Sequence, residues 1–248
     1  MPSVAQIVAN IFPIFTVNSG FPKRIIEFRG TGFFVAPRGI FLTAQHVLDR
    51  NLAKDESFHI MVEEPYQSEK FSFYRVLDFE RDTRGFDLAI GRADFNNSSR
   101  FILCKGKLTL GEPLYTYGFP LTEGERRPDG LIEWKLNPRY FQGYLTRDLL
   151  YDHPGYKPTP SYELSFPAPV GLSGSPLLQL GTMSVAGVIY GNLESYTITD
   201  ERQVDVHREQ VVTETRKIIQ FGLAHFHMTL LGIHSTLLDG KTLGDWVL

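Results

Sequence analysis

Apolar residues in this chain come in short runs, and Gly, Pro and Asp turns separate them. Examples are Arg24-Ile-Ile-Glu-Phe-Arg-Gly30, Thr31-Gly-Phe-Phe-Val-Ala-Pro37, Gly39-Ile-Phe-Leu-Thr-Ala44, and the runs SFHIMVEE, FSFYRVLDF and FDLAIGRAD further on. Each is too short for a typical core helix and is rich in Phe, Ile, Val and Tyr, so each predicts a strand. The turn Ala36-Pro37-Arg38-Gly39 between two such runs is a hairpin signal. The pattern resumes in PLYTYGFP, IEWKL, YFQGYL, YELSF, SPLLQL, VAGVIYG and IIQFGLAHF. Many short strands at this spacing must close on themselves to hide their edges, which predicts barrels or a sandwich.

The most polar, turn-prone stretch is Asn96-Asn-Ser-Ser-Arg100, and it divides the chain into two halves. The expected fold is all-β, with two six-stranded antiparallel barrels over residues 1–96 and 97–248 and a site in the cleft between them. Residues 194–216 are polar and charged, and are expected to form a surface loop insertion with some helix. The tail from Met228 to Leu248 has Leu230, Leu231, Ile233 and Leu237 at mixed helical spacing. It is expected to be helical and to pack on the second barrel.

Composition removes several function classes. A net charge of −3 and a pI near 6.2, with no Lys/Arg block, do not suit a nucleic-acid binder. The single Cys104 cannot form an internal disulfide and reads as a small buried apolar residue. The start, MPSVAQIVANIFPIFTV, lacks a basic leader and is broken by Asn10 and Pro13. It is therefore read as an early strand and not as a signal or a membrane span. The expectation is a soluble cytoplasmic protein that binds neither membrane nor nucleic acid. His207, His225, His227 and His234 have irregular spacing, with no Cys among them and no His-Glu-x-x-His. No metal and no cofactor is expected.

Three local patterns carry chemistry. They are Thr43-Ala44-Gln45-His46 after an apolar strand, Phe86-Asp87-Leu88-Ala89, and Gly171-Leu172-Ser173-Gly174-Ser175-Pro176. A serine hydroxyl is a weak nucleophile until a base takes its proton, and that base needs a buried carboxylate to hold its tautomer. The developing oxyanion needs N–H donors, and the turn offers those of Gly171 and Ser173. Each residue alone has a plainer reading: a strand-end His, a turn Asp, a turn Ser. Together they run in the order His, Asp, Ser, unlike the triads of α/β-hydrolases or subtilisins.

The chain resembles the trypsin/chymotrypsin superfamily, above all its bacterial intracellular and HtrA-like peptidase domains. Thr43-Ala-Gln-His46 is similar to that family's Thr-Ala-x-His, Asp87-Leu-Ala89 to its Asp-Leu-Ala, and Gly171 to Pro176 to its Gly-x-Ser-Gly-Gly/Ser-Pro. Tyr117-Gly-Phe-Pro120, Val185-Ala-Gly-Val-Ile189 and Phe221-Gly-Leu-Ala224 are weaker matches, and the likeness spans about residues 25–230. The resemblance implies a serine endopeptidase acting on polypeptides, with His46 as base, Asp87 as its partner, Ser173 as nucleophile, and Gly171 and Ser173 as oxyanion donors. It also implies a pocket for the residue before the scissile bond (P1), lined by Pro167, Ala168, Tyr190, Asn192 and Gly222. No carboxylate near Pro167 or Ala168 would pair a basic side chain, so an apolar P1 residue is expected, or a small one if Tyr190 and Asn192 narrow the pocket.

Two departures stand out. Leu172 precedes the serine where cleavage-activated relatives carry an aspartate, so activation by a new N-terminus is not expected. Ser175 replaces a glycine and offers a second hydroxyl near the first. Without secretion, broad activity would harm the host. Narrow activity, or a regulatory protein partner that orders the oxyanion turn, is therefore expected. A catalytically silent peptide-binding descendant and an esterase or acyltransferase stay open as alternatives.

Overall fold

The computed structural model describes all residues except 1–2, 19–23, 64–70, 98–99, 129–131, 207–208 and 247–248. Residues 4, 199–206, 209–214 and 216 are described by backbone alone.

Six strands of the first half close into an antiparallel barrel. They are β1 (Ile11–Asn18), β2 (Arg24–Phe34), β3 (Ile40–Thr43), β4 (Glu56–Glu63), β5 (Phe71–Arg81) and β6 (Ala89–Ala93), in the ring order β1-β2-β3-β6-β5-β4. The run IFPIFTV forms β1 and is buried along nearly its whole length. Phe12 and Ile14 pack with Phe34, Phe41 and Leu48, while Phe15 and Val17 lie against Trp134 and Leu136. Burying one such side chain contributes on the order of 2–3 kcal/mol. The two runs either side of Gly30 join into the single strand β2. Ahead of β1, Ser3 and Gln6 make a capping box for a short helix, α1 (Val4–Val8), that the apolar reading of this segment did not separate from the strand.

The second half contains β7 (Ile102–Leu103), β8 (Pro113–Gly118), β9 (Glu123–Arg126), β10 (Ile132–Lys135), β11 (Arg139–Tyr151), β12 (Thr159–Leu164), β13 (Pro176–Gln179), β14 (Ser184–Val206) and β15 (Glu209–His225). The order β13-β8-β11-β12-β15-β14, with β14 pairing back to β13, brings six strands into a ring. The short β7 runs parallel to β14 as a seventh strand of that sheet. β9 and β10 form a separate two-stranded ribbon. The fold is the expected chymotrypsin-like one. Ile40, Leu42, Leu88 and Ile90 from the first barrel share a cluster with Tyr115, Val185 and Val188 from the second, so the halves meet through apolar surface.

Two regions differ from expectation. Residues 194–206 and 209–216 are not a loop with helix: they continue β14 and β15 as a long antiparallel pair, from Ile189↔Ala224 to Val206↔Glu209. The sequence there is polar but many residues are β-branched, which favours strand. The tail carries its helix in short pieces, α3 (His227–Leu231), a 3₁₀ turn at Thr236–Leu238, and α4 (Leu243–Trp246). It packs against β14 of the second barrel through α3 and also reaches the first barrel. Leu238 and Leu243 share a cluster with Val185 and Val188 and with Ile40 and Ile90, the Thr236 N–H donates to Glu80 at 3.1 Å, and Arg84 donates to the Thr229 carbonyl at 2.6 Å.

Candidate active site

His46 sits in a one-turn helix, α2 (Gln45–Leu48), directly after β3. Arg29 reaches across from β2 and donates to the carbonyls of His46 and Val47, both at 3.1 Å, which fixes that turn. Asp87 lies in the turn before β6, and its side chain is 1 % exposed. Its carboxylate accepts from the His46 backbone N–H at 2.9 Å and from the ring Nδ1 at 2.7 Å. Burial would raise the Asp87 carboxyl, but the hydrogen bonds and charge of His46 outweigh it and hold the group below its ordinary value. An ionised carboxylate only accepts, so Nδ1 carries the hydrogen. Nε2 is left with a free lone pair on the half-exposed side of the ring.

The third pattern forms a turn whose backbone groups are nearly all committed. The Val170 carbonyl accepts from Leu121 at 2.9 Å, the Leu172 N–H donates to Pro169 at 3.0 Å, and the Leu172 carbonyl accepts from Ser175 at 3.0 Å. The Gly171 carbonyl accepts from the Thr31 hydroxyl at 2.9 Å. The Ser173 carbonyl accepts from the Thr31 N–H at 2.9 Å, and the Gly174 N–H donates to Ile189 at 2.8 Å. Two donors are left without a protein partner among the described residues, the N–H groups of Gly171 and Ser173. A trans peptide points its N–H away from its C=O. With the carbonyls of Val170 and Leu172 anchored, these two N–H groups point away from the groups that hold those carbonyls. Gly171 and Gly174 have φ of 93° and 86°, and a Cβ on Gly174 would run into the Thr31 carbonyl and the Thr43 hydroxyl, so only glycine fits there.

Gly30 joins the pieces. A Cβ placed there would lie 2.8 Å from a Val47 methyl and 2.9 Å from the Ser173 carbonyl, so the side chain next to His46 and the backbone at Ser173 meet over it. Ser175 is different. It is fully buried, its hydroxyl faces Gly118 and has no hydrogen-bond partner, and it cannot reach a substrate.

Of the expected pocket residues, four come together. The Asn192 amide accepts from the Ala168 N–H at 2.6 Å and donates to the Ala168 carbonyl at 2.7 Å, while the Gly222 N–H donates to Phe166 at 2.7 Å, next to Pro167. Tyr190 does not line this slot. Its ring is buried and stacks on His225 with centroids 4.3 Å apart, and its hydroxyl bonds Ser161 at 2.6 Å. An aromatic ring at that position finds more apolar contact inside the barrel than in the cleft.

Three supporting residues escaped the sequence reading. Thr31 is fully buried and bonds both sides of the serine turn. Tyr156 stands beside Asp87, and burial followed by the Asp87 charge pushes its hydroxyl up. His225 is fully buried, and its Nε2 donates to the Asp87 carbonyl at 3.0 Å while the Thr159 hydroxyl donates to Nδ1 at 3.3 Å. That pattern fits only a neutral ring, and burial lowers the imidazole to about 4. Unfolded, it titrates near 6.5, so between those values the unfolded state binds the extra proton and stability falls as the pH falls. This group alone removes about 3 kcal/mol between pH 7 and pH 4. Urea unfolding of native protein and of His225→Gln at both values checks it: the variant lacks that share of the loss. Asp87, with a lowered value, keeps its contribution through this window and loses it only at lower pH.

Residues 30–188, more than half of the chain, match the trypsin-like peptidase domain. The chain belongs to that family. Among solved structures, the trypsin-like domain is similar to the active form of the Rv3671c protease from M. tuberculosis, with a TM-score of 0.56 and 16 % identity over 94 % of this chain and 82 % of that one. It is also similar to the HtrA-type protease AlgW with a decapeptide, with a TM-score of 0.61 and 12 % identity over 96 % and 67 %. The MamO protease domain from Magnetospirillum magneticum, in its apo form, gives 0.55 and 11 % over 90 % and 94 %. At these identities the likeness speaks for the fold. No curated protein sequence matches the chain. Within the trypsin-like domain and its tail, no group of three or more His, Cys, Asp or Glu among the described residues is placed to hold a metal ion. No helix among the described residues is long and apolar enough to cross a membrane. His207 lies outside the described residues.

Proposed function

We propose that this trypsin-like peptidase is a serine endopeptidase working through an acyl-enzyme. Ser173 Oγ attacks the scissile carbonyl as its proton passes to His46 Nε2. The oxyanion rests between the N–H groups of Gly171 and Ser173. The same proton then goes to the leaving amine, and water, deprotonated by His46, releases the acid. Asp87 stays ionised and holds the imidazolium that forms between these steps. The single observation that carries the reading is the serine turn: of its N–H groups from Gly171 to Ser175, the two an oxyanion needs are the ones without a protein partner among the described residues. Because the chain's own hydrogen bonds order this turn, the isolated protein is active, and a regulatory partner, if it exists, acts on access and not on the oxyanion site.

The P1 side chain is small and apolar. Asn192 spans the slot to Ala168 with both halves of its amide satisfied, so it braces the walls and takes up the depth a large side chain would need. No carboxylate stands there for a basic residue. Peptide mixtures digested by the native protein and read by mass spectrometry are cut after Ala or Val. Asn192→Gly raises kcat/KM for Leu or Phe at P1 by about 10–100-fold relative to Ala. Preferred cleavage after Phe or Lys by the native chain would contradict the closed slot. Hydrolysis of activated esters without any peptide cleavage would make the chain an esterase.

A further inference from the structure

Asp87 sits in a tight loop that closes on itself. β5 ends at Arg81 and β6 begins at Ala89. Between them the Asp82 N–H donates to the Leu88 carbonyl at 2.9 Å, the Gly85 N–H to the Asp82 carbonyl at 3.0 Å, and the Leu88 N–H to the Phe86 carbonyl at 2.7 Å. These bonds give the loop its shape, but none of them sets its tilt toward His46. Three contacts from outside the first barrel bear on that tilt. In two of them the Gly85 carbonyl accepts from the Lys157 N–H at 2.8 Å, and the Asp87 carbonyl accepts from His225 Nε2 at 3.0 Å.

The third runs through Arg84. Its Nε and Nη2 donate to the two carboxylate oxygens of Asp82, and Nη2 also donates to the Thr229 carbonyl of α3 at 2.6 Å. The Asp82 side chain is 1 % exposed, and its Oδ1 accepts as well from the Arg84 N–H at 2.9 Å. The guanidinium carbon lies 5.1 Å from the centre of the ring of Phe86, the neighbour of Asp87. A Cβ on Gly232, the residue that ends α3, would overlap Arg84 Nη1, so the tail backbone closes over the guanidinium. A buried ion pair of this kind adds little net stability over an apolar pair of the same shape. What it does supply is geometry, because a planar fork tied to both Asp82 and the tail has little room to swing.

We propose that Arg84 is a positioning residue for Asp87, and that through it the tail sets how the carboxylate meets His46. The base and its carboxylate then take their places from different parts of the chain. Arg29 on β2 fixes α2 and so His46, whereas α3, outside the matched residues 30–188, fixes the loop that carries Asp87. The tail thus governs the rate without touching substrate. Once the clasp is released, Asp87 drifts out of register with Nδ1, and an ångström of misplacement costs up to about 100-fold. The inference rests on the endopeptidase reading.

Asp82→Asn with Arg84→Met removes the clasp without leaving a buried charge alone, and the new amide oxygen still accepts from the backbone N–H at position 84. On a peptide with Ala at P1, kcat should fall about 10–100-fold while KM stays within about twofold. The same pair of substitutions added to Asp87→Asn should cost less than about threefold more, because the carboxylate they position is already gone. Urea unfolding shows which variants are folded. Should the pair fail to fold, Gly232→Ala presses on Arg84 from the tail alone. It should lower kcat by about threefold or more, again only while Asp87 is present. An unchanged kcat, a loss carried by KM, or an equal loss with and without Asp87 overturns the proposal. So does loss of folding in both the pair and Gly232→Ala, since the contact then holds the fold and not the carboxylate. Fluorophosphonate labelling of Ser173 separates the two failures. A labelled native chain whose variants keep full kcat loses only the positioning role, and an unlabelled native chain loses the endopeptidase reading.

Discussion

Ser173→Ala lowers kcat for peptide hydrolysis by about 10⁵–10⁶-fold, while Ser175→Ala leaves it within about threefold. The contrast follows from where each hydroxyl lies. Ser173 is half-buried in the turn that meets α2 over Gly30, whereas Ser175 is sealed under β8 against Gly118. Removing Ser173 Oγ leaves only the oxyanion donors and substrate positioning, and those alone retain a small part of the rate. Removing Ser175 Oγ deletes a buried hydroxyl that has no partner, so stability does not fall. Steady-state kinetics on a peptide with Ala at P1, with urea unfolding of each variant, checks both halves. Equal losses for the two variants would mean the turn had been disturbed, not the nucleophile.

Asp87→Asn costs about 10⁴-fold in kcat near neutral pH. The carboxylate accepts two hydrogen bonds from His46, and both require an acceptor. An asparagine amide keeps one with its oxygen and turns its NH₂ to the other. The ring then best presents Nδ1 as acceptor and carries its hydrogen on Nε2, which is the wrong tautomer for taking a proton from Ser173. KM changes little, because Asp87 is buried and does not touch the substrate. The loss shrinks at high pH, where hydroxide replaces the base. A pH–rate profile of Asp87→Asn against the native chain checks this, and a uniform loss at every pH would place the damage in folding and not in the tautomer.

Much of this was readable from the residues. Short apolar runs bounded by turns locate the barrel strands because burying them is the only way to hide that many apolar side chains. His46, Asp87 and the serine turn stand out because their chemistry needs those types in fixed local settings. The outer part of β14 and β15 was not readable: a polar, charged run has no apolar alternation, and its β-branched Thr and Val look like loop residues when mixed with charge. That the tail reaches the first barrel as well as the second was not readable, because Leu238 and Leu243 suit either surface and in the fold they meet both. His225 and Thr31 were invisible for a different reason. Each acts through long-range bonds, His225 to Asp87 and Thr31 to Gly171 and Ser173, and nothing near either residue in the chain marks it. Tyr190, expected in the cleft, turned inward for the same reason, since its partners Ser161 and His225 lie far off in sequence.

Covalent labelling by a fluorophosphonate, read by intact mass on the native chain and on Ser173→Ala, tests the central claim most directly. The account predicts one adduct per native chain, located on Ser173, formed without any added partner and absent from Ser173→Ala. A well-folded native chain that takes no adduct, or one that is labelled equally after Ser173→Ala, would contradict it.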